Sequence, residues 1–142
     1  ATMPPKIRQL ANKILINPEE INIAIAKPAA GILQQAYMTH DEQKGGLLKH
    51  ILRTVKWNSV IIFASTKEVV KKLDQSFQKA KLPARAFHSD LEQAEREEIL
   101  RGFKNKQINI LIGTDVLSRG IDVEGISMVI NWDVPPDPED YV

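Results

Sequence analysis

The strongest constraint on the fold is an alternation of two patterns. Val60 to Ala64 is a continuous apolar run, largely β-branched, and Ile108 to Gly113 and Met128 to Trp132 are two more. Ala84 to His88 is a shorter run between them. Strands that are apolar without alternation are covered on both faces. Between the runs, apolar residues recur at helical spacing. One set is Leu47, Leu48, Ile51, Leu52 and Val55; the next is Val69, Val70, Leu73 and Phe77; the third is Ile99, Leu100 and Phe103. Strands alternating with helices imply βαβ units and a parallel sheet. The expected fold is therefore α/β, a three-layer arrangement with a central parallel sheet flanked by helices. At 142 residues the chain is one domain by length. It is long enough to bury about two-thirds of its unfolded surface.

Boundaries follow from local chemistry. Pro4 and Pro5 open a helix whose apolar face is Ile7, Leu10, Ala11, Ile14 and Leu15, and Asn17-Pro18 ends it. Ile21 to Ile25 alternates like a short strand, Lys27 to Gly31 reads as a linker, and Ile32 to Met38 as a first strand. Thr39 with Glu42 offers a capping box for the next helix. Gly45-Gly46 weakens that helix by about 1 kcal/mol each relative to alanine. Ser65-Thr66 is placed to cap the following helix, Leu82-Pro83 breaks it, and Asp90 is placed to cap the one after. Pro135-Pro136 is a turn, and Asp137-Pro138 begins another helix.

In parallel sheets, ligands gather beyond the carboxyl ends of the strands. Three polar loops fall there: Ser65-Thr66, His88-Ser89-Asp90, and Thr114 to Asp122. The last is the densest in chemistry. Asp122 can accept hydrogen bonds from ribose hydroxyls, or cap its own loop. Gly120 lets backbone approach a ligand closely, or simply serves a turn. The Thr114 hydroxyl with adjacent N–H groups suits a phosphate oxygen, whereas Asp115 is better explained as holding the loop. Gln93 and Arg96 share a helical face. Arg96 can grip a phosphate bidentately, or pair with Glu92 or Glu95. Gln93 also has the spacing to cap with Asp90.

The net charge of +1 excludes a global basic field, so any nucleic-acid site is a local patch. The absence of cysteine excludes disulfides and thiolate metal sites and fits a reducing compartment. His40, His50 and His88 lack metal-ligand spacing, so no metal site is expected. Trp57 and Trp132 are read as packing residues rather than base platforms. No apolar run approaches the ~20 residues of a membrane span. No signal peptide is visible at Ala1, where a fragment would show none, and the location expected is cytoplasmic.

Thr114-Asp115-Val116-Leu117-Ser118-Arg119-Gly120-Ile121-Asp122 resembles motif V of the DEAD-box RNA helicases. Val60 to Phe63 resembles motif IV, His88-Ser89-Asp90 the HGD segment with serine for glycine, and Gln93 to Arg96 the QxxR of motif IVa. Val129 to Pro135 resembles the VINYDxP stretch, and Ala1-Thr2-Met3-Pro4 the tail of a SAT motif. The resemblance spans essentially the whole chain. It implies a RecA-like fold and the second of two such domains, over residues 32–142, preceded by a tail of the first over 1–26 and a linker over 27–31. It implies RNA contacts at Thr114, Arg96, Gln93, Ser65 and Thr66, and ATP ribose contacts at Asp122 with Gly120. Arg119 would face the other domain, with Asp115 placed there too; a salt bridge inside the loop is the alternative for Arg119.

ATP would be the cofactor, with Mg2+ held mainly by the other domain, and RNA the partner. No catalytic residue is expected here, since neither GxxxxGK[ST] nor a DEAD tetrapeptide occurs. The family's HRIGRTGR would follow Val142, so the 142 residues alone are expected to be inactive. The apolar face within residues 1–27 is expected to dock non-natively, to dimerise or to fray, unless it caps its own domain. Two other classes stay open: a different superfamily 2 motor such as a DNA translocase, and a non-catalytic RNA-binding or scaffold domain.

Overall fold

The computed structural model describes residues 5–19, 31–118, 121, 123–135 and 141. The chain divides into two compact units, Ala1–Gln35 with Pro136–Val142, and Ala36–Pro135.

In the first unit, α1 spans Pro5–Ile14, as its apolar spacing predicts. Asn17 takes φ 46°, a left-handed conformation that asparagine tolerates, so the helix path ends there. Ile7, Leu10, Ile14 and Leu15 are all more than half exposed. The Tyr141 hydroxyl donates to Gln34 Oε1 at 2.6 Å. The expected strand over Ile21 to Ile25, the linker and the helix from Asp137 lie outside the described residues.

In the second unit, β1 (Val60–Phe63), β2 (Ala84–Phe87), β3 (Ile110–Gly113) and β4 (Met128–Asn131) form one parallel sheet in the order β2-β3-β1-β4. Alternate residues serve opposite faces, as the strand period requires. Val60, Ile62, Ile110 and Ile112 pack with Leu48 of α2 (Asp41–Thr54) and with Val70, Leu73 and Phe77 of α3 (Lys67–Lys79). Ile61 and Leu111 face the other way, onto Phe103 of α4 (Gln93–Lys104) and Leu117 of α5 (Asp115–Ser118). Trp57 and Trp132 pack against the first core, as expected of packing residues. The central strands are thus covered on both faces, and the three-layer expectation holds.

Four expectations are corrected. Ile32 to Met38 forms no strand: Leu33 is 82% exposed and Met38 fully so. Its apolar alternation finds no face to bury it, and an extended segment without ladder partners gains nothing from pairing. Thr39 does not cap α2; the helix starts one residue later, with His40 at the N-cap and no side-chain cap bond. The Thr39 hydroxyl donates instead to the His40 carbonyl at 3.3 Å. Asp90 does not cap α4, whose N-cap is Glu92, with the Glu92 N–H donating to Glu95 Oε2 at 2.9 Å. Two lysine ammonium groups on α3 hold the Asp90 carboxylate instead, a stronger attraction than a neutral N–H. Finally, the stretch after β3 opens as the helical turn α5 rather than as loop, closed by Leu117 N–H to Thr114 O at 2.9 Å. Burying Leu117 to 1% exposure draws that turn down onto the sheet.

Candidate nucleic-acid interface

The sheet delivers its polar loops to one edge. All four strands run the same way, so the residues after Phe63, Phe87, Gly113 and Asn131 emerge at the same carboxyl rim. The register is tight there: Phe63 sits beside both Gly113 and Asn131, and Phe87 beside Gly113. Gly113 is required by closeness. A Cβ on it would lie 2.8 Å from Leu117 Cδ2 and 3.1 Å from the Phe87 carbonyl oxygen.

Ser65 and Thr66 share a loop but do different work. Thr66 is the N-cap of α3, its hydroxyl accepting from Val69 N–H at 3.3 Å. The expected cap therefore falls on Thr66 alone. Ser65 is turned to the end of β4, where its hydroxyl donates to Asp133 Oδ2 at 2.7 Å and its N–H to the same oxygen at 3.2 Å. The other oxygen of Asp133 takes Lys44 Nζ at 2.9 Å. Lys44 also pairs with Asp41 at 2.9 Å, and its ammonium stands 5.8 Å from the centre of the Trp132 ring. Burial pushes the Asp133 carboxyl upward, but the bonds from Lys44 and from Ser65 outweigh it and leave it below the usual range. Bonds to Asp133 and Asp41 hold the Lys44 ammonium above its ordinary value. Composition and spacing gave Lys44 and Asp133 no role. Asp133 lies in the Val129 to Pro135 stretch of the family resemblance, which marked the position without naming its partners.

The second loop joins β2 to α4. His88 is buried, with Nδ1 lacking a hydrogen-bond partner, and Arg96 Nε is likewise buried without one. Arg96 Nη2 donates to the Ser89 carbonyl at 2.9 Å. This bond aligns the guanidinium with the loop, seven residues back along the chain. It displaces the expected pairing of Arg96 with Glu92 or Glu95, because Glu95 turns to cap its own helix. Gln93 is not a partner of Asp90 either: its amide donates to Glu97 Oε1 at 3.0 Å along the exposed face of α4. Asp90 accepts Lys67 Nζ at 3.1 Å and Lys71 Nζ at 2.8 Å. The bonds from Lys71 and then Lys67 lower its pKa to about 2.

Thr114 stands half-buried at the end of β3, and Asp115 is exposed in the first turn of α5. Arg119, Gly120 and Asp122 lie outside the described residues. Among the described residues no cluster of His, Cys, Asp or Glu could hold a metal, and no helix is long and apolar enough to cross a membrane.

A parallel sheet in this order, with its central strands covered on both faces and its polar loops on one rim, has the architecture of a RecA-like domain. The profile described as "Helicase conserved C-terminal domain" matches residues 43–142. The chain belongs to that family, in its DEAD-box RNA helicase branch. It is 36% identical, over its whole length, to the ATP-dependent RNA helicase CshA of Listeria monocytogenes and to the DEAD-box ATP-dependent RNA helicase CshA of Geobacillus kaustophilus. It spans 28% and 31% of those two proteins. A crystal structure of a DEAD box protein from Methanococcus jannaschii superposes with a TM-score of 0.73 at 37% identity, covering 99% of this chain and 38% of the other. The C-terminal domain of the DEAD-box protein Dbp5 gives 0.65 at 31% identity, covering 71% and 59%.

Proposed function

We propose that this chain is the C-terminal RecA-like half of an ATP-dependent RNA helicase, in which RNA-stimulated ATP hydrolysis drives local opening of a duplex. The observation that carries the reading is the Arg96–Ser89 bond, which sets a cationic fork on the loop after β2. RNA is held through phosphates and sugars, hence with little sequence preference. Arg96 grips a phosphate, Thr114 and Thr66 offer hydroxyls, and Gln93 and Ser65 join them by exchanging their present partners. Asp122 and Gly120 meet the ATP ribose. Arg119 and Asp115 face an N-terminal RecA-like domain that supplies the phosphate loop, the catalytic carboxylates and most of the hold on Mg2+. Residues 1–26 are the tail of that domain, 27–31 the linker and 32–142 the second domain. The apolar face of residues 1–27 docks non-natively, dimerises or frays when that first domain is missing, or else caps its own domain. The protein works in the cytoplasm, and the 142 residues alone do not hydrolyse ATP.

The test is ATP hydrolysis by the longer protein, both flanks present, with single-stranded RNA and with DNA. Stimulation by RNA only, lost in Arg96→Ala and Asp122→Ala, supports the reading. Stimulation by DNA makes it a translocase. RNA binding without hydrolysis leaves a scaffold on a helicase fold.

A further inference from the structure

Two lysines that no sequence motif singled out stand beside the Arg96 loop. Lys67 and Lys71 lie one turn apart on α3, so their side chains share a face. Both reach the same carboxylate, Asp90, at 3.1 and 2.8 Å. Asp90 is the residue next to Ser89, whose carbonyl holds Arg96. Three cationic groups from two helices are therefore fixed on two consecutive residues of one loop. The lysine side chains are each 46% exposed, so their ammonium groups are positioned without being sequestered. Three cationic groups thus meet at one carboxylate and the carbonyl beside it, in a chain whose total charge is +1.

We propose that Lys67 and Lys71 form a second phosphate subsite, which continues the nucleic-acid track outward from Arg96 along the first turns of α3. Asp90 is its positioning residue. An unrestrained lysine gives up rotamer freedom when it meets a phosphate. Here the carboxylate has already drawn two of them together, and each ammonium carries three donors, so a phosphate oxygen is met by those not used on Asp90. The ligand class is a single-stranded polynucleotide, because Arg96 and the lysine pair offer successive anion positions along one loop. An isolated phosphate would need only one. This inference rests on the proposed RNA role of Arg96 and extends it to two residues outside the matched motifs.

The experiment is RNA affinity against salt, with the longer protein, both flanks present, and a fluorescent oligouridine. For single strands, each phosphate neutralised adds about 0.7 to the slope of log K against log salt. Lys67→Gln/Lys71→Gln, which removes the one phosphate held by the pair, is expected to lower the slope by about 0.7. Lys72→Gln, one residue along the same helix, is expected to leave it unchanged. Shortening the oligouridine until it covers Arg96 alone is expected to abolish the difference between wild type and the double variant. An unchanged slope in the double variant, or an equal loss in Lys72→Gln, overturns the subsite. Far-UV circular dichroism on each variant separates misfolding from lost contact. If wild type binds no RNA, or Arg96→Ala leaves the slope intact, the function proposed above fails. If Arg96→Ala lowers the slope and the lysine variant does not, only the subsite fails.

Discussion

Ser65 and Asp133 are 68 residues apart in sequence and share two hydrogen bonds, hydroxyl to carboxylate at 2.7 Å and N–H to the same oxygen at 3.2 Å. The pair bridges the carboxyl ends of β1 and β4, adjacent strands of the sheet, and Lys44 of α2 completes it from a third element. One carboxylate thus fixes the start of the Ser65-Thr66 loop.

Asp133→Ala should destabilise the domain by about 1–3 kcal/mol, the range for losing bonds to a charged group. The partial exposure of Asp133 and Lys44 places the effect toward the lower end. Urea unfolding at neutral pH measures it. Asp133→Asn, which keeps an acceptor for Ser65, should recover part of the loss; no difference between the two variants would remove the assigned role.

Acid should act on Asp90 in a defined window. Its folded pKa of about 2 lies below the unfolded value of 3.8, so its contribution is present above about 4. That contribution fades as pH falls from about 4 toward 2. Stability measured across that window should therefore fall less steeply in Asp90→Asn than in wild type. Lys44 behaves in the opposite sense. Its raised value makes its contribution full below the ordinary 10.5 and lost as pH climbs through the folded pKa.

Gly113→Ala places a methyl 2.8 Å from Leu117 Cδ2, 2.9 Å from Leu117 Cβ and 3.1 Å from the Phe87 carbonyl. Overpacking of this kind costs about 1–3 kcal/mol. Leu117→Ala alone should cost about 2–5 kcal/mol through the cavity it leaves. Their double variant should cost clearly less than the sum, because the added methyl meets the atoms that were removed. Additive thermal or urea midpoints would refute the contact.

Thr66→Ala should cost about 1 kcal/mol by loss of the α3 cap. Ser65→Ala should act instead through Asp133. Combined with Asp133→Ala it should add little, whereas Thr66→Ala should add in full to either. Denaturant midpoints of the three single variants and their three pairwise doubles distinguish these cases.

The apolar runs identified β1, β3 and β4 to within two residues; in β1 and β3 the reason is that a strand buried on both faces tolerates no polar interruption. The helical spacings identified α3 and α4 because each presents one covered stripe, and they identified α1 although its apolar stripe stays more than half exposed. Motif order supplied the family, and Thr66 as a cap was legible from its place one residue before a helix. Those are local properties, written in consecutive residues. Tertiary structure alone decided the partners of polar side chains. Asp90 had the spacing of a cap and became the anchor of two lysines on another helix. Asp133 stood in a family stretch with no partner assigned and became the link between three elements. Ile32 to Met38 had the pattern of a strand and found no ladder. Charge–charge attraction across the fold outweighs a local N–H, and a strand exists only where another lies beside it. Neither quantity is carried by the segment itself.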